Sequence, residues 1–287
     1  MPIKFENVSY TYLPNTVFKT EALKDVNCEI KEGSFTAIIG HTGSGKSTLV
    51  QHINALLLPT SGTVFVEDYK IFPNSKLKQI KKLRSKVGLV FQFPEYQLFE
   101  ETCYKDIAFG PKNFGKTSEE IDVLVKDAAK LVGIDEELLS RSPFELSGGQ
   151  RRRVAIAGIL AMKPSVLILD EPTAGLDPRG AREMMDLFSR LNKQGITVIL
   201  VTHDMDYVLR YSELVIVMSE GMLKAYDTPL NIFKNTKLCK ELNLELPTVF
   251  SFANKLIEKG LDIDLGKVKD VKTLADEIAL NKGGKQS

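Results

Sequence analysis

The chain has 287 residues, and its 38 Lys and Arg against 37 Asp and Glu leave a formal net charge of +1. That length suits one large domain with an appendage or two modest ones, and the near-neutral balance argues against a polyanion held by a general positive field. Hydrophobic residues at 43% and charged residues at 26% are globular proportions, and the longest apolar stretches (154–162 and 196–201) fall far short of the ~20 residues that span a bilayer.

Residues 3–12 alternate apolar and polar side chains (Phe5, Val8, Tyr10, Tyr12) and read as a strand, with residues 22–30 as its partner across a loop. Residues 34–40 form a short apolar run ending in glycine, as a buried strand does, and a helix is expected over 45–57, closed by Pro59. Residues 63–66 and 87–91 read as further strands. Thr117 to Glu120 spells a capping box, followed by Ile121, Leu124, Val125, Ala128, Ala129 and Val132 at helical spacing. A second helix is expected over 148–162. Strand patterns return at 166–170, 196–201 and 214–218, with helices over 178–193 and 204–211. Such alternation with continuous apolar strands predicts an α/β fold around a parallel sheet covered on both faces, interrupted by a helical insert at about 95–160. After Pro229 short helices and turns follow, with an amphipathic stretch over 268–280 and a polar tail, 282–287, expected to fray.

Cys28, Cys103 and Cys239 are odd in number, far apart and without a C-x-x-C pair, so each is expected as a small buried hydrophobe. Only His41, His52 and His203 supply imidazoles, too few for a His-rich metal centre. No basic-then-apolar leader follows Met1, so no secretion is expected.

Three motifs carry chemistry. Gly40, His41, Thr42, Gly43, Ser44, Gly45, Lys46, Ser47 and Thr48 fit G-x-x-x-x-G-K-[ST] between a predicted strand and a predicted helix. Bare glycines let backbone N–H groups close around phosphate oxygens, Lys46 would reach the β- and γ-phosphates, and the Ser47 hydroxyl would take a Mg²⁺ position. His41 lies within this stretch without a required side-chain role. Residues 166–171, Val-Leu-Ile-Leu-Asp-Glu, end an apolar strand in two carboxylates. Asp170 would join the Mg²⁺ shell and Glu171 would face an attacking water, although Asp-Glu-Pro also suits a plain chain turn. Leu146, Ser147, Gly148, Gly149 and Gln150 open the second insert helix with a hydroxyl and two glycine amides, which fits an anion site and equally an ordinary N-cap.

Together these motifs resemble the ATP-binding-cassette (ABC) ATPases over about residues 3–227. The resemblance implies a P-loop NTPase (RecA-like) core, an N-terminal antiparallel β subdomain, a helical signature subdomain and a C-terminal helical extension. It divides the chain into 1–243 and 244–287. It also implies a head-to-tail dimer in which Ser147, Gly148, Gly149 and Gln150 close on the ATP held by the partner. By the same resemblance Gln92 matches the glutamine that contacts Mg²⁺ and water and senses a membrane subunit. Asp177 matches the D-loop, His203 the switch histidine on the γ-phosphate, and Tyr12 (with Tyr10 as fallback) the aromatic that stacks on adenine. ATP and Mg²⁺ are the implied cofactors, with Glu171, His203 and Gln92 as catalytic residues and Ser47, Gln92 and Asp170 around the metal.

The stretch 91–99, continuing to 106–111, resembles more narrowly the ATPases of energy-coupling-factor transporters, prokaryotic importers of vitamins and metal ions. The loop 13–20 and the extension after about Asn243 agree. Cys103 departs from the valine expected there. That resemblance implies a second, related ATPase, a transmembrane coupling subunit, an interchangeable membrane substrate-binding subunit, and a location on the cytoplasmic face of the membrane. The apolar loop of Phe93, Tyr96, Leu98 and Phe99 suits a coupling helix, or else packs the insert. The basic run over 70–86 (Lys76, Lys78, Lys81, Lys82, Arg84) is expected as a solvated helix face, and Arg151 to Arg153 as anchors that solvate the signature helix. A nucleic-acid-linked cassette is disfavoured by the single phosphate loop and neutral balance. A kinase or GTPase is disfavoured by residues 146–150, and a conventional importer only by the stretch 91–111.

Overall fold

The computed structural model describes residues 2–76 and 80–283. Its two sheets account for the alternating strands. The first is antiparallel, in the order β2 (Thr20–Ile30), β1 (Ile3–Tyr12), β4 (Ser61–Val66), β5 (Tyr69–Ile71). The second runs β10 (Met222–Asp227), β9 (Leu214–Ser219), β3 (Phe35–Ile39), β8 (Thr197–Val201), β7 (Val166–Asp170), β6 (Val87–Val90). Strands β6 to β9 and β3 pair in parallel, and β10 closes one edge antiparallel to β9. The expected mostly parallel core and N-terminal antiparallel sheet are therefore present.

Successive side chains of a strand point to opposite faces, and the buried strands use both. Val166 and Ile168 join the cluster shared with the antiparallel sheet and α1 (Lys46–Ile53). Leu167 and Leu169 join the cluster under the insert helices and α6 (Pro178–Lys193). The first expected helix is shorter than 45–57: Asn54 ends it and Ala55 takes a left-handed φ of 53°. Two helices fall where no bounds were drawn: α2 (Ile80–Lys86), at the end of the basic run expected as a helix face, and α3 (Cys103–Asn113), within the expected helical insert. In α3 the buried Asp106 accepts N–H bonds from Phe99 and Glu100, fastening the preceding loop to the helix.

The capping box is real: Thr117 accepts from Glu120 N–H and the Glu120 carboxylate from Thr117 N–H, at the start of α4 (Ser118–Val132). The signature helix α5 (Gly148–Leu160) stops two residues before the expected 162. Asp204 caps α7 (Met205–Tyr211). Helices α8 (Pro229–Lys234), α9 (Thr236–Glu241), α10 (Thr248–Glu258) and α11 (Val271–Gly283) pack with α7 on a third cluster that includes Ala37, Ile39, Val215 and Val217 of the sheet. The C-terminal extension is thus laid against the main sheet. Thr248 holds it there, its N–H and hydroxyl donating to the Asp206 carboxylate of α7 at 2.8 and 2.6 Å.

Cys103 and Cys239 are buried as expected, and Cys28 is half-buried; burial pushes the Cys28 thiol up to about 12. In the basic run, Lys81, Lys82 and Arg84 are exposed on α2, but Arg84 also donates to the Asn54 and Ala55 carbonyls just past the end of α1. Lys78 and residues 284–287 of the predicted tail lie outside the described residues. No helix among the described residues is long and apolar enough to cross a membrane.

Candidate nucleotide site

Parallel strands place their carboxyl ends on one side of the sheet, where α/β folds bind ligands, and the motif residues gather there. Strand β3 runs into the loop 40–45, and α1 begins at Lys46 with Gly45 as an N-cap that supplies no side chain. The helix therefore leaves its first N–H groups free for an anion. Gly40 adopts φ 147°, and a Cβ there would lie 2.1 Å from the Met218 carbonyl oxygen and 2.7 Å from Ser44 Oγ. At Gly45, with φ 103°, a Cβ would lie 2.6 Å from the Ala22 carbonyl oxygen. Only glycine threads the chain between these backbones.

Lys46 Nζ donates to the Gly40 and His41 carbonyls at 2.7 and 2.9 Å, curling across the loop it serves. Burial lowers its pKa, against the opposing pull of Glu171 and Asp170. Thr48 and Ser44 are buried, whereas Thr42, Gly43 and Ser47 are open to solvent. His41 folds back, with Nδ1 2.8 Å from the Thr42 carbonyl and Nε2 3.4 Å from Ser219 Oγ. Tyr12, about one-third exposed, bonds Thr48 Oγ1 through its hydroxyl at 3.2 Å and meets the Tyr10 ring edge-on. His52 is fully buried rather than merely on a helix face. Its Nδ1 donates to the Thr48 carbonyl at 2.7 Å and its ring packs on Tyr10.

Strands β7 and β8 are neighbours, with Asp170 opposite Val201. Asp170 accepts a hydrogen bond from the Ser47 hydroxyl; burial raises its pKa, with Ser47 and Lys46 pulling the other way. A hydroxyl and a carboxylate side by side are the hard oxygen donors that Mg²⁺ prefers. Mg²⁺ sites commonly use one or two protein oxygens and fill the rest of the shell with phosphate and water. These residues fit Mg²⁺.

Glu171 sits just past β7 in a left-handed conformation, φ 50°, with its N–H bonded to the Val201 carbonyl at 2.9 Å. Such strain in a non-glycine residue persists only where the surroundings impose it, and functional sites are where it clusters. Its carboxylate receives His203 Nδ1 at 2.9 Å and the hydroxyl of the buried Thr202 at 3.4 Å. Hydrogen bonding and charge from Glu171 raise the His203 pKa above its usual value. Lys46, Ser47, Asp170, Glu171 and His203 thus converge. Gln92 lies exposed in the bend after β6.

Ser147 to Gln150 face elsewhere in their bonding. Ser147 Oγ accepts from Gln150 N–H, and Gln150 Oε1 accepts from Ser147 N–H at 3.0 Å, a reciprocal box at the start of α5. Both glycines are exposed, and a Cβ on either would meet nothing within 4 Å. The N-cap expectation is met by this box, and the cap leaves both glycines exposed. Asp177 caps α6 by accepting from Gly180 N–H at 2.6 Å.

Two expectations need correction. The loop read as either receiving a coupling helix or packing the insert divides between the two: Leu98 is buried in the insert cluster, so its place as a docking residue is withdrawn, while Phe93, Tyr96 and Phe99 remain open. Arg152, read as a solvated anchor, is 2% exposed. Consecutive helical residues point about 100° apart, so three arginines in a row cannot share one wet face; that was the available signal. Its partner Glu95 was missed altogether, as was Thr202.

Residues 23–174 match the ABC transporter family. The chain is 56% identical over 265 residues, 92% of each chain, to the energy-coupling factor transporter ATP-binding protein EcfA2 of Enterococcus faecalis. It is 55% identical, over 90% of each chain, to the protein of that name from Ligilactobacillus salivarius. Among solved structures, cbiO1 of Clostridium perfringens, described as part of the ABC transporter complex cbiONQ, superposes with a TM-score of 0.73 at 42% identity, covering 88% of this chain and 98% of that one. The cassette MJ0796, solved as a dimer in a post-hydrolysis state bound to ADP and Pi, gives 0.70 at 33% identity, covering 79% of this chain and 98% of the other. The chain belongs to the ABC transporter family of ATPases and, within it, to the ATP-binding subunits of energy-coupling-factor transporters.

Proposed function

We propose that the chain forms one half of an ATP sandwich, reading 1–243 as the ATPase unit and 244–287 as an extension docked on it. The observation that carries this reading is a division within one chain. Lys46, Ser47, Asp170, Glu171 and His203 converge on one site, while the side chains of Ser147 and Gln150 are taken up with each other and the two glycines between them stay exposed. A helix start that offers an anion site without belonging to the local one suits a nucleotide held by a neighbour. The dimeric cassette neighbour supports the same assembly.

In this mechanism Lys46 exchanges its loop carbonyls for the β- and γ-phosphates, and the free amides of the loop and of α1 hold the phosphate oxygens. Ser47, Asp170 and Gln92 would hold Mg²⁺, which when bound neutralises charge between the phosphates. Glu171 takes the proton of the attacking water. His203 steadies that carboxylate through Nδ1–H and, in its charged form, donates Nε2–H to the γ-phosphate. Tyr12 stacks on adenine. The contacts of Ser147 and Gly149 to the γ-phosphate exist only when the halves close, so this differential affinity drives closure, and cleavage releases it.

The partners follow the relatives: a second, related ATPase, a transmembrane coupling subunit received at the exposed Phe93, Tyr96 and Phe99, and a membrane substrate-binding subunit. The ATPase would then sit on the cytoplasmic membrane face and drive uptake of a vitamin or metal ion. Replacing Glu171 by Gln tests the core of the reading. The variant should bind ATP and accumulate the closed state while losing turnover; unchanged hydrolysis would refute the role given to Glu171.

A further inference from the structure

The nucleotide chemistry makes no use of the most deeply buried guanidinium discussed above. Arg152 lies in the second turn of α5, two residues beyond Gln150. Its Nε and Nη2 donate to the two oxygens of Glu95 at 2.9 and 2.8 Å, a bidentate fork. Nη1 donates to the Ala174 carbonyl at 2.7 Å and to the Pro172 carbonyl at 3.4 Å. The Phe93 ring lies against the guanidinium, its centroid 5.7 Å from Cζ. Behind that ring the chain passes close: a Cβ on Gly175 would stand 3.1 Å from Phe93 Cε1.

The contacts join two other working segments to the signature helix. Phe93 and Glu95 follow Gln92 directly, Glu95 in a 3-10 turn over Pro94–Gln97. Pro172 and Ala174 follow Glu171. Arg152 itself shares a helix with the signature residues. The two charged side chains are 3% and 13% exposed, and burying such a pair is a poor way to gain stability, since apolar residues of similar volume often serve as well or better. A planar fork gives geometry instead: it fixes distance and orientation together, which a lysine cannot. Its neighbour Arg153 shows the contrast, bonding the Val132 carbonyl and a half-exposed Glu183 on the outer side of the helix.

We propose that Arg152 is a positioning residue that clamps the turn after Gln92 and the loop after Glu171 to the signature helix, so that the three move as one body. Displacement at the Gln92 segment, where a membrane partner would bear, is then delivered to Ser147, and the angle at which the signature face meets the partner's ATP is set by this side chain. The proposal rests on the sandwich reading above. It predicts that the clamp governs closure over ATP and leaves first binding of ATP to the phosphate loop alone.

The test uses the full-length chain in its purified ATPase pair, with Glu171→Gln in this chain and the matching change in the related partner ATPase, so that turnover halts at both sites. Equilibrium binding of a fluorescent ATP analogue reads the open site. Radiolabelled ATP retained through a desalting column reads closure. Arg152→Lys keeps the charge and loses the fork. It should leave analogue affinity within about twofold and cut retained ATP by roughly tenfold. Glu95→Gln, which keeps one acceptor oxygen and the side-chain shape, is measured beside it and should show the same split, so a folding defect at position 152 does not shield the idea. Retention that is undiminished in both variants, or affinity and retention falling together in Glu95→Gln, overturns the clamp. If the parent pair itself retains no ATP, the sandwich reading fails and the clamp falls with it.

Discussion

His52 offers a test of how the phosphate-loop helix is held. Its ring is fully buried beneath α1, Nδ1 donates to the Thr48 carbonyl, and Nε2 has no hydrogen-bond partner among the described residues. Burial, only partly opposed by the Thr48 bond, lowers its pKa from 6.5 to about 4. The native chain therefore keeps the ring neutral while the unfolded chain takes up a proton below 6.5, so stability is full at neutral pH and is lost as pH falls towards 4. Integrating that difference from pH 7 to pH 5 gives about 2 kcal/mol of lost stability from this one ring. His52→Phe keeps an aromatic against Tyr10 and removes the titration. Urea unfolding of parent and variant at both pH values checks it, each carboxylate contribution cancelling in the comparison. The parent should lose about 2 kcal/mol more than the variant on acidification. Equal losses would refute the claim that the ring is held neutral, and with it the account of how α1 is seated.

Other perturbations probe the remaining contacts. In a histidine NMR titration, Glu171→Gln should bring the raised His203 pKa back towards the usual value, because its two largest causes are the Glu171 bond and charge. The pairing is complete below the usual histidine value and disappears as pH rises through the raised one; a resonance that titrates identically in both proteins would exclude the pair. Turnover in the same variant should drop by about 10²–10⁴-fold, the range a positioned proton acceptor supplies. Gly40→Ala would drive a methyl into the Met218 carbonyl, so ATP binding measured by calorimetry should be lost. Asp206→Ala removes both hydrogen bonds from Thr248, and faster amide exchange in the first turn of α10, by about 1–2 kcal/mol of local stability, is the expected result.

Much of the site was readable because its chemistry is local in sequence. A phosphate loop needs glycines at fixed spacing, and an apolar run closed by Asp170 and Glu171 announces the carboxyl end of a buried strand. The insert was harder. Helix α3 contains Gly110 and Pro111, which look like a break, but Pro111 stands in the final turns and is buried. Strand β10 has no fully buried position, so its alternation is faint. The end of α1 came early because Ala55 turns left-handed, which nothing in alanine foretells. Glu95 and Arg152 lie 57 positions apart, and a pair made only by the tertiary fold leaves no periodic trace.

The pairing of Asp170 with Val201 across β7 and β8 makes the sheet a ruler for catalysis. Glu171 and His203 hang one and two residues beyond adjacent strand ends, so their separation is set by a ladder spacing of about 4.8 Å. Such a ladder does not stretch. In the sandwich proposed above, this couple would stand ready in every copy, and timing would come from what arrives across the gap, much as a lock with fixed wards waits on the key.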